Sequence, residues 1–247
     1  MVVKADWGLL RGKVCAATGL CEPAVAGCCA VCRGPVTAGY RRCYQCEGHL
    51  LAGTGPLSDL VVPASYAVQG TPFGRELWDY KARRVPESTL IALLLTFLHD
   101  HAMCLWRGRL APGSIAPDYL AVVPSGSGRP GVHPLLRMVT PYLTLPPVAL
   151  TLNPGEQGRD YNPCRFRADG LAVGASVLLL DDTWVSGASA QSAAAALKLA
   201  GASQVVTLVL ARLLHAADPR ATGLAGRSYD PLTCAVHTSV PVGSDAC

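Results

Sequence analysis

Charge is scarce in this chain. Only 15% of its 247 residues are charged, while half are hydrophobic. A disordered chain has the opposite balance, so extensive disorder is excluded and a core can form. The formal net charge of +4 is too mild to indicate nucleic-acid binding by itself. A bilayer-length apolar run is also missing. The greasiest stretch, Leu90 to Leu98, is interrupted by Thr96 and ends in His99-Asp100-His101, which reads as a buried helix and not as a span. The N-terminus carries Lys4, Asp6, Arg11 and Lys13 and no apolar h-region, so no signal peptide is expected. Evenly spaced cysteines are absent too. There are 11, an odd number, and five crowd between positions 28 and 46. A small secreted disulfide scaffold would be shorter and more regularly stapled. Clustered pairs point to metal and a reducing compartment, hence to the cytoplasm.

What is present concentrates at Ser176-Val177-Leu178-Leu179-Leu180-Asp181-Asp182-Thr183-Trp184-Val185-Ser186-Gly187-Ala188-Ser189. Val177 to Leu180 reads as a strand buried on both faces, as in the middle of a parallel sheet. Two carboxylates follow, then a turn of small residues and hydroxyls, then the helix-prone Ala190 to Ala200. The first N–H groups of a helix have no internal partner and sit at the positive end of its dipole. Val185, Ser186, Gly187, Ala188 and Ser189 therefore make a phosphate cradle. No lysine lies in the loop, which excludes a Walker loop. Asp181 and Asp182 just before the cradle suit vicinal hydroxyls, with or without Mg²⁺, so a ribose 5-phosphate fits. The competing interpretation is an ordinary strand-to-helix turn with surface aspartates.

The second informative stretch is CCAVCRGPVTAGYRRCYQC, residues 28–46. Cys29-x-x-Cys32 and Cys43-x-x-Cys46 lie ten residues apart. Two such turns on facing hairpins complete a tetrahedral Cys₄ zinc site with no open position, so the metal would be structural. The alternatives are four reduced cysteines or a redox pair, and Cys28 borders the first pair as a rival to Cys29. Arg33, Arg41 and Arg42 would offset the site's negative charge.

The remaining chain orders itself around these two stretches. Residues 1–27 form an arm, either a helix packed on the body or a loose segment, and residues 28–50 form the ribbon. Residues 50–60 read as a linker, 61–213 as the main domain, and 214–247 as a terminal hood or tail. Within the main domain, Val61 to Gln69, Tyr119 to Val123, Val148 to Leu152 and Gln204 to Ala211 read as strands. Helices are expected from Gly74 to Arg84, from Pro86 to about Trp106 and from His133 to Tyr142. His99 and His101 lie two apart and so face different sides, which makes them helix-end histidines and not a metal pair. Ser125, Gly126, Ser127, Gly128 and Arg129 form a second small-residue loop after a strand. Asn153 to Leu171 is a polar loop holding Arg159, Arg165 and Arg167, long enough to be functional.

Val177 to Ser189 resembles the ribose-phosphate signature of the type I phosphoribosyltransferases. With the Cys₄ ribbon in front, Tyr80-Lys81, and Arg159-x-x-Asn162 followed by Phe166, the chain resembles the ComF family over most of residues 28–211. Two departures stand out. Arg129-Pro130-Gly131-Val132-His133 occupies the place of an Arg-Gly-Phe-Asn-Gln run, and Trp184 is large for the loop. The resemblance implies an α/β fold with a phosphoribosyltransferase-like parallel sheet flanked by helices behind a small Cys₄ zinc ribbon. It implies that PRPP binds with Mg²⁺, its 5-phosphate on Val185 to Ser189 and its ribose hydroxyls on Asp181 and Asp182. Pyrophosphate would lie on Ser125 to Arg129, with a basic lid near Arg159. A nitrogen acceptor, which the sequence does not name, would receive the phosphoribosyl group. The rival expectation is a non-catalytic competence or regulatory protein. Its ribbon, with Tyr40, Tyr44, Arg33, Arg41 and Arg42, would meet single-stranded DNA or a competence-protein partner. Neither expectation specifies an oligomeric state.

Overall fold

The computed structural model describes residues 5–23, 27–80, 88–110, 112, 114, 116–125, 133–156, 158–225 and 228–236. In chain order the elements are α1 (Trp7–Cys15), β1 (Leu20–Cys21), α2 (Tyr44–Leu51), β2 (Leu60–Val68), α3 (Pro72–Asp79), α4 (Ser88–Trp106) and β3 (Tyr119–Val122). They continue with α5 (Pro134–Val139), β4 (Ala149–Leu152), β5 (Phe166–Asp169), β6 (Ser176–Trp184), α6 (Ala188–Leu199), β7 (Gln204–Leu214) and α7 (Pro219–Thr222).

The central sheet has the order β1-β2-β7-β6-β3. β2, β7, β6 and β3 run parallel, with Leu60 opposite Val206 and Val122 opposite Leu180. β1 pairs antiparallel with the end of β2. Alternation along each strand sends side chains to two cores. Leu178, Leu180, Val206 and Leu208 join Leu90, Leu93, Leu94 and Phe97 of α4. Val177, Leu179, Val205 and Val209 join Ala190, Ala193, Ala194 and Leu197 of α6. With both faces covered, a strand can be apolar at every position, which is why β6 and β7 read as continuous apolar runs. The crossover from β2 through α4 to β3 and the one from β6 through α6 to β7 run in opposite directions along the sheet. They lie on opposite faces, as right-handed crossovers require.

Several expectations change. β6 continues through the acidic pair to Trp184 instead of ending at Leu180, because Asp181 and Thr183 keep pairing with Val209 and Ala211. Val148 to Leu152 does not join the central sheet as a full strand. β4 pairs antiparallel with β5 in a separate two-stranded sheet, touching β3 at a single bridge between Leu120 and Pro147. Within 153–171, the described residues of 153–165 form a long loop that joins β4 to β5, and Phe166–Asp169 is a strand where loop was expected. Asn153 N donates to Arg165 O at 2.9 Å, and only Phe166 of β5 is buried. The N-terminal arm is the packed alternative: α1 lies on α4, with Arg11 paired to Asp100 and Trp7 stacked on His99 at 4.0 Å. Thr89–Trp106 is long and apolar enough to cross a membrane by length and composition, longer than the run seen in sequence. Of that window 67% is buried, so its apolar surface is already occupied by the core.

Candidate functional site

The parallel register brings the C-terminal ends of β3 and β6 side by side. Val123 N donates to Leu180 O at 2.9 Å, so the chain beyond β3 leaves the sheet next to the acidic pair. This is the edge where open α/β sheets bind ligands. Because the strand runs on through Asp181 and Asp182, the two carboxylates face opposite sides of the sheet. Asp182 is buried, on the α4 side, and accepts a hydrogen bond from the Tyr80 hydroxyl. Asp181 is half-buried, on the α6 side.

Trp184 is not a loop residue. It ends β6, is 1% exposed, and lies in the α6-side core. Its indole occupies the space beneath Gly187, where any Cβ would collide with the ring. Gly187 also takes φ 84°, a left-handed conformation that disfavours side chains. It is the N-cap of α6, so Ala188 and Ser189 belong to the first helical turn and not to the loop. A glycine cap leaves that turn without a side-chain hydrogen bond from the cap itself. Ser186 Oγ accepts from Ala188 N at 3.3 Å. Val185 is 47% exposed.

The side chain that gives this turn its electrostatics is Arg165. It is 4% exposed. Its Nη1 donates to Ser189 Oγ at 3.2 Å, and its guanidinium carbon stands 5.3 Å from the Phe166 ring centre. Its Nε has no hydrogen-bond partner, and no carboxylate pairs with it among the described residues. Burial pulls its pKa below the ordinary value, although a guanidinium stays charged. It is held in place by the segment before β5, where Asn162 N donates to Ser192 Oγ at 2.9 Å. A buried cation with an unmet donor beside the first turn of a helix suits an anion. Of the three clustered arginines, Arg159 is exposed and Arg167 pairs with Asp169 of its own strand at 3.0 Å. Sequence reasoning placed Arg159 in the site. The structure directs attention to Arg165, whose neighbour Phe166 was the only local signal.

The four cysteines of the ribbon do come together. Cys29, Cys32, Cys43 and Cys46 place their sulfurs within 4.8 Å of one another, with Cys32 and Cys43 at 3.8 Å, and could hold a structural metal such as zinc. Hydrogen bonds from Cys32, then Cys43 and Cys46, pull the Cys29 thiol well below its usual value, while the bond to Cys29 leads those that push Cys46 up. The sulfurs share protons that a cation would displace. Cys28 stands outside this set. Only the first Cys-x-x-Cys pair lies in a turn: Cys43 caps α2 and Cys46 sits in its first turn, where a facing hairpin was expected. Arg33 takes φ 57° at the end of the first turn.

The ribbon is docked on the body. Cys29, Cys32 and Cys46 share the α6-side core with Trp184. Tyr66 Oη donates to Arg33 O at 2.6 Å. Gly34 lies against the Arg212 side chain with no room for a Cβ. Arg212 is 9% exposed, and its Nη1 donates to Trp184 O and Val185 O at 2.8 Å and Leu213 O at 3.0 Å. It connects the ribbon to the loop ahead of α6. Its charge also acts on Cys32, whereas Arg42 is engaged by Glu47 at 3.0 Å.

Of the small-residue loop after β3, Ser125 is described and half-buried. Gly126, Ser127, Gly128 and Arg129 lie outside the described residues, as do Lys81 and Pro86. No protein-family model matches the chain, and no curated protein matches it.

Proposed function

We propose that the turn from β6 into α6 holds the 5-phosphate of PRPP, and that the protein is a phosphoribosyltransferase of the type I kind, similar to the ComF family. One observation carries this: the buried Arg165 guanidinium, without a carboxylate partner among the described residues, touching Ser189 in the first turn of α6. A phosphate there would meet the open N–H groups of the helix and the guanidinium together. Asp181 and Asp182 would take the ribose hydroxyls from the two sides of β6, with Tyr80 fixing Asp182. Mg²⁺ arriving with the diphosphate would be held in part by Asp181. Ser125 to Arg129 would receive pyrophosphate. The acceptor nitrogen bonds to C1 as the bond from C1 to the pyrophosphate oxygen breaks. Pyrophosphate leaves with the electron pair, the acceptor proton passes to solvent, and carboxylates near C1 favour the developing positive charge. Zn²⁺ on Cys29, Cys32, Cys43 and Cys46 is structural in this scheme.

Calorimetry with PRPP, with and without Mg²⁺, tests it on wild type, Arg165→Leu and Asp181→Asn/Asp182→Asn. Binding by wild type, weakened in both variants, is expected. A wild-type chain that ignores PRPP, or an Arg165→Leu chain that binds equally well, would sink the proposal. Pyrophosphate release across bases, amines and ammonia then names the acceptor.

A second reading has an observation of its own. Tyr40 is 70% and Tyr44 89% exposed on the ribbon, beside the exposed Arg41. Two bare aromatic rings next to a cation suit stacking on single-stranded nucleic acid. A salt-sensitive mobility shift on single-stranded DNA, abolished by Tyr40→Ala/Tyr44→Ala, would favour it. No shift at low salt removes it.

A further inference from the structure

We infer that the protein carries a second metal centre, in which His101, Cys104 and Cys234 hold one Zn²⁺ in the core between α4 and the segment 228–236. One ligand atom from each of the three lies within 4.8 Å of the other two. They are buried, at 2%, 7% and 3% exposure. His101 and Cys104 are three apart on α4 and so share a helix face. Cys234 arrives from the far end of the chain. Two thiols and an imidazole in one apolar interior are borderline-soft donors of the kind zinc selects.

The histidine is anchored by the fold. Its Nε2 lies 2.8 Å from Pro231 O, and ligating histidines are commonly held by such a backbone carbonyl. Charge points to the same ion. Two thiolates, a neutral imidazole and Zn²⁺ sum to zero, so the centre can sit in a dry core without a counter-ion. A monovalent copper would leave a net negative charge there. No disulfide joins Cys104 to Cys234. Three protein ligands leave one position for water. Binding releases two thiol protons to solvent and fastens the segment 228–236 to α4. The site shares no ligand with the ribbon.

The test is a zinc count by mass spectrometry on the full chain, purified with reductant from zinc-replete medium. Two zinc ions per chain are expected for wild type, and one for both Cys104→Ser/Cys234→Ser and Cys32→Ser/Cys43→Ser. One ion in wild type, or two that survive Cys104→Ser/Cys234→Ser, would overturn the inference, as would a Cys104–Cys234 disulfide in the isolated chain. Should the variants fail to fold, cobalt titration of the metal-stripped wild type decides. Two equivalents with distinct thiolate spectra are expected, the second weaker in thiolate absorption. Saturation at one equivalent refutes it.

Discussion

Two buried arginines flank the turn that leads into α6, and they are used differently. Arg212 reaches that turn from β7 and donates one nitrogen to three backbone carbonyls. Arg165 reaches it from the hairpin and donates to a single hydroxyl. Each has an Nε without a hydrogen-bond partner among the described residues, so the contrast lies in the rest of the guanidinium. Arg212 has its charge answered by carbonyls and the cysteine cluster. Arg165 faces a helix start whose cap residue is a glycine. A buried cation whose acceptors belong to the chain supports structure. One whose acceptors are lacking supports binding.

Breaking the first arginine should have the larger effect. Arg212→Leu strands three carbonyls and frees Gly34 from its support. We expect about 3 kcal/mol of lost stability, read as a lowered denaturant midpoint. A midpoint within about 0.5 kcal/mol of wild type would show that the carbonyls find water instead. Breaking the second arginine should cost binding and not stability. Arg165→Leu removes an uncompensated buried charge, so the midpoint should hold or rise. Phosphate-ester affinity should fall about a hundredfold. A variant that unfolds readily would place Arg165 with Arg212 after all.

A third arginine sharpens the contrast with the smallest effect. Arg220 is exposed and paired with Asp218 at 2.9 Å, and also donates to Thr37 Oγ1 of the ribbon at 3.3 Å. The guanidinium holds the Asp218 carboxyl below the usual carboxylate value. A lowered folded-state pKa stabilises fully above the unfolded value of ~3.9 and fades as the pH falls through the folded one. Arg220→Leu should therefore lower Tm slightly at neutral pH, with the gap closing as the pH falls below the unfolded carboxylate value. A gap that persists in acid would mean that the Thr37 contact, not the ion pair, is responsible.

The parallel strands were legible because burial on both faces leaves an unbroken apolar run, as in Val177 to Leu180. The hairpin was legible by half: Val148 to Leu152 reads as a strand, but β5, where only Phe166 is buried, lies in a polar stretch that reads as loop. The cysteine quartet was visible because its ligands are local in sequence. The cluster at His101 was hidden by distance. His101-x-x-Cys104 lies within one helix turn, but Cys234 joins them only through the fold, and His99 beside them suggested ordinary helix-end histidines. Arg165 looked like its neighbours Arg159 and Arg167. What separates it is the docking of Asn162 on Ser192, a tertiary contact with no local pattern. Trp184 seemed oversized for a loop, since nothing local shows that β6 extends to include it.

The pairing of β2 with β7 has a consequence for how the chain is made. Leu60 must wait for Val206, so during synthesis β2 emerges long before its main partner. Until then it has only β1, at Ala67 and Tyr66, and its other edge stays open. Such long-range pairing slows folding and exposes nascent chains to aggregation. The cysteine knuckle, by contrast, closes within residues 29–46 and can form as soon as it clears the ribosome. Its seat on Arg212 arrives with the last strand, so assembly proceeds from the local cysteine unit inward, and the sheet closes last.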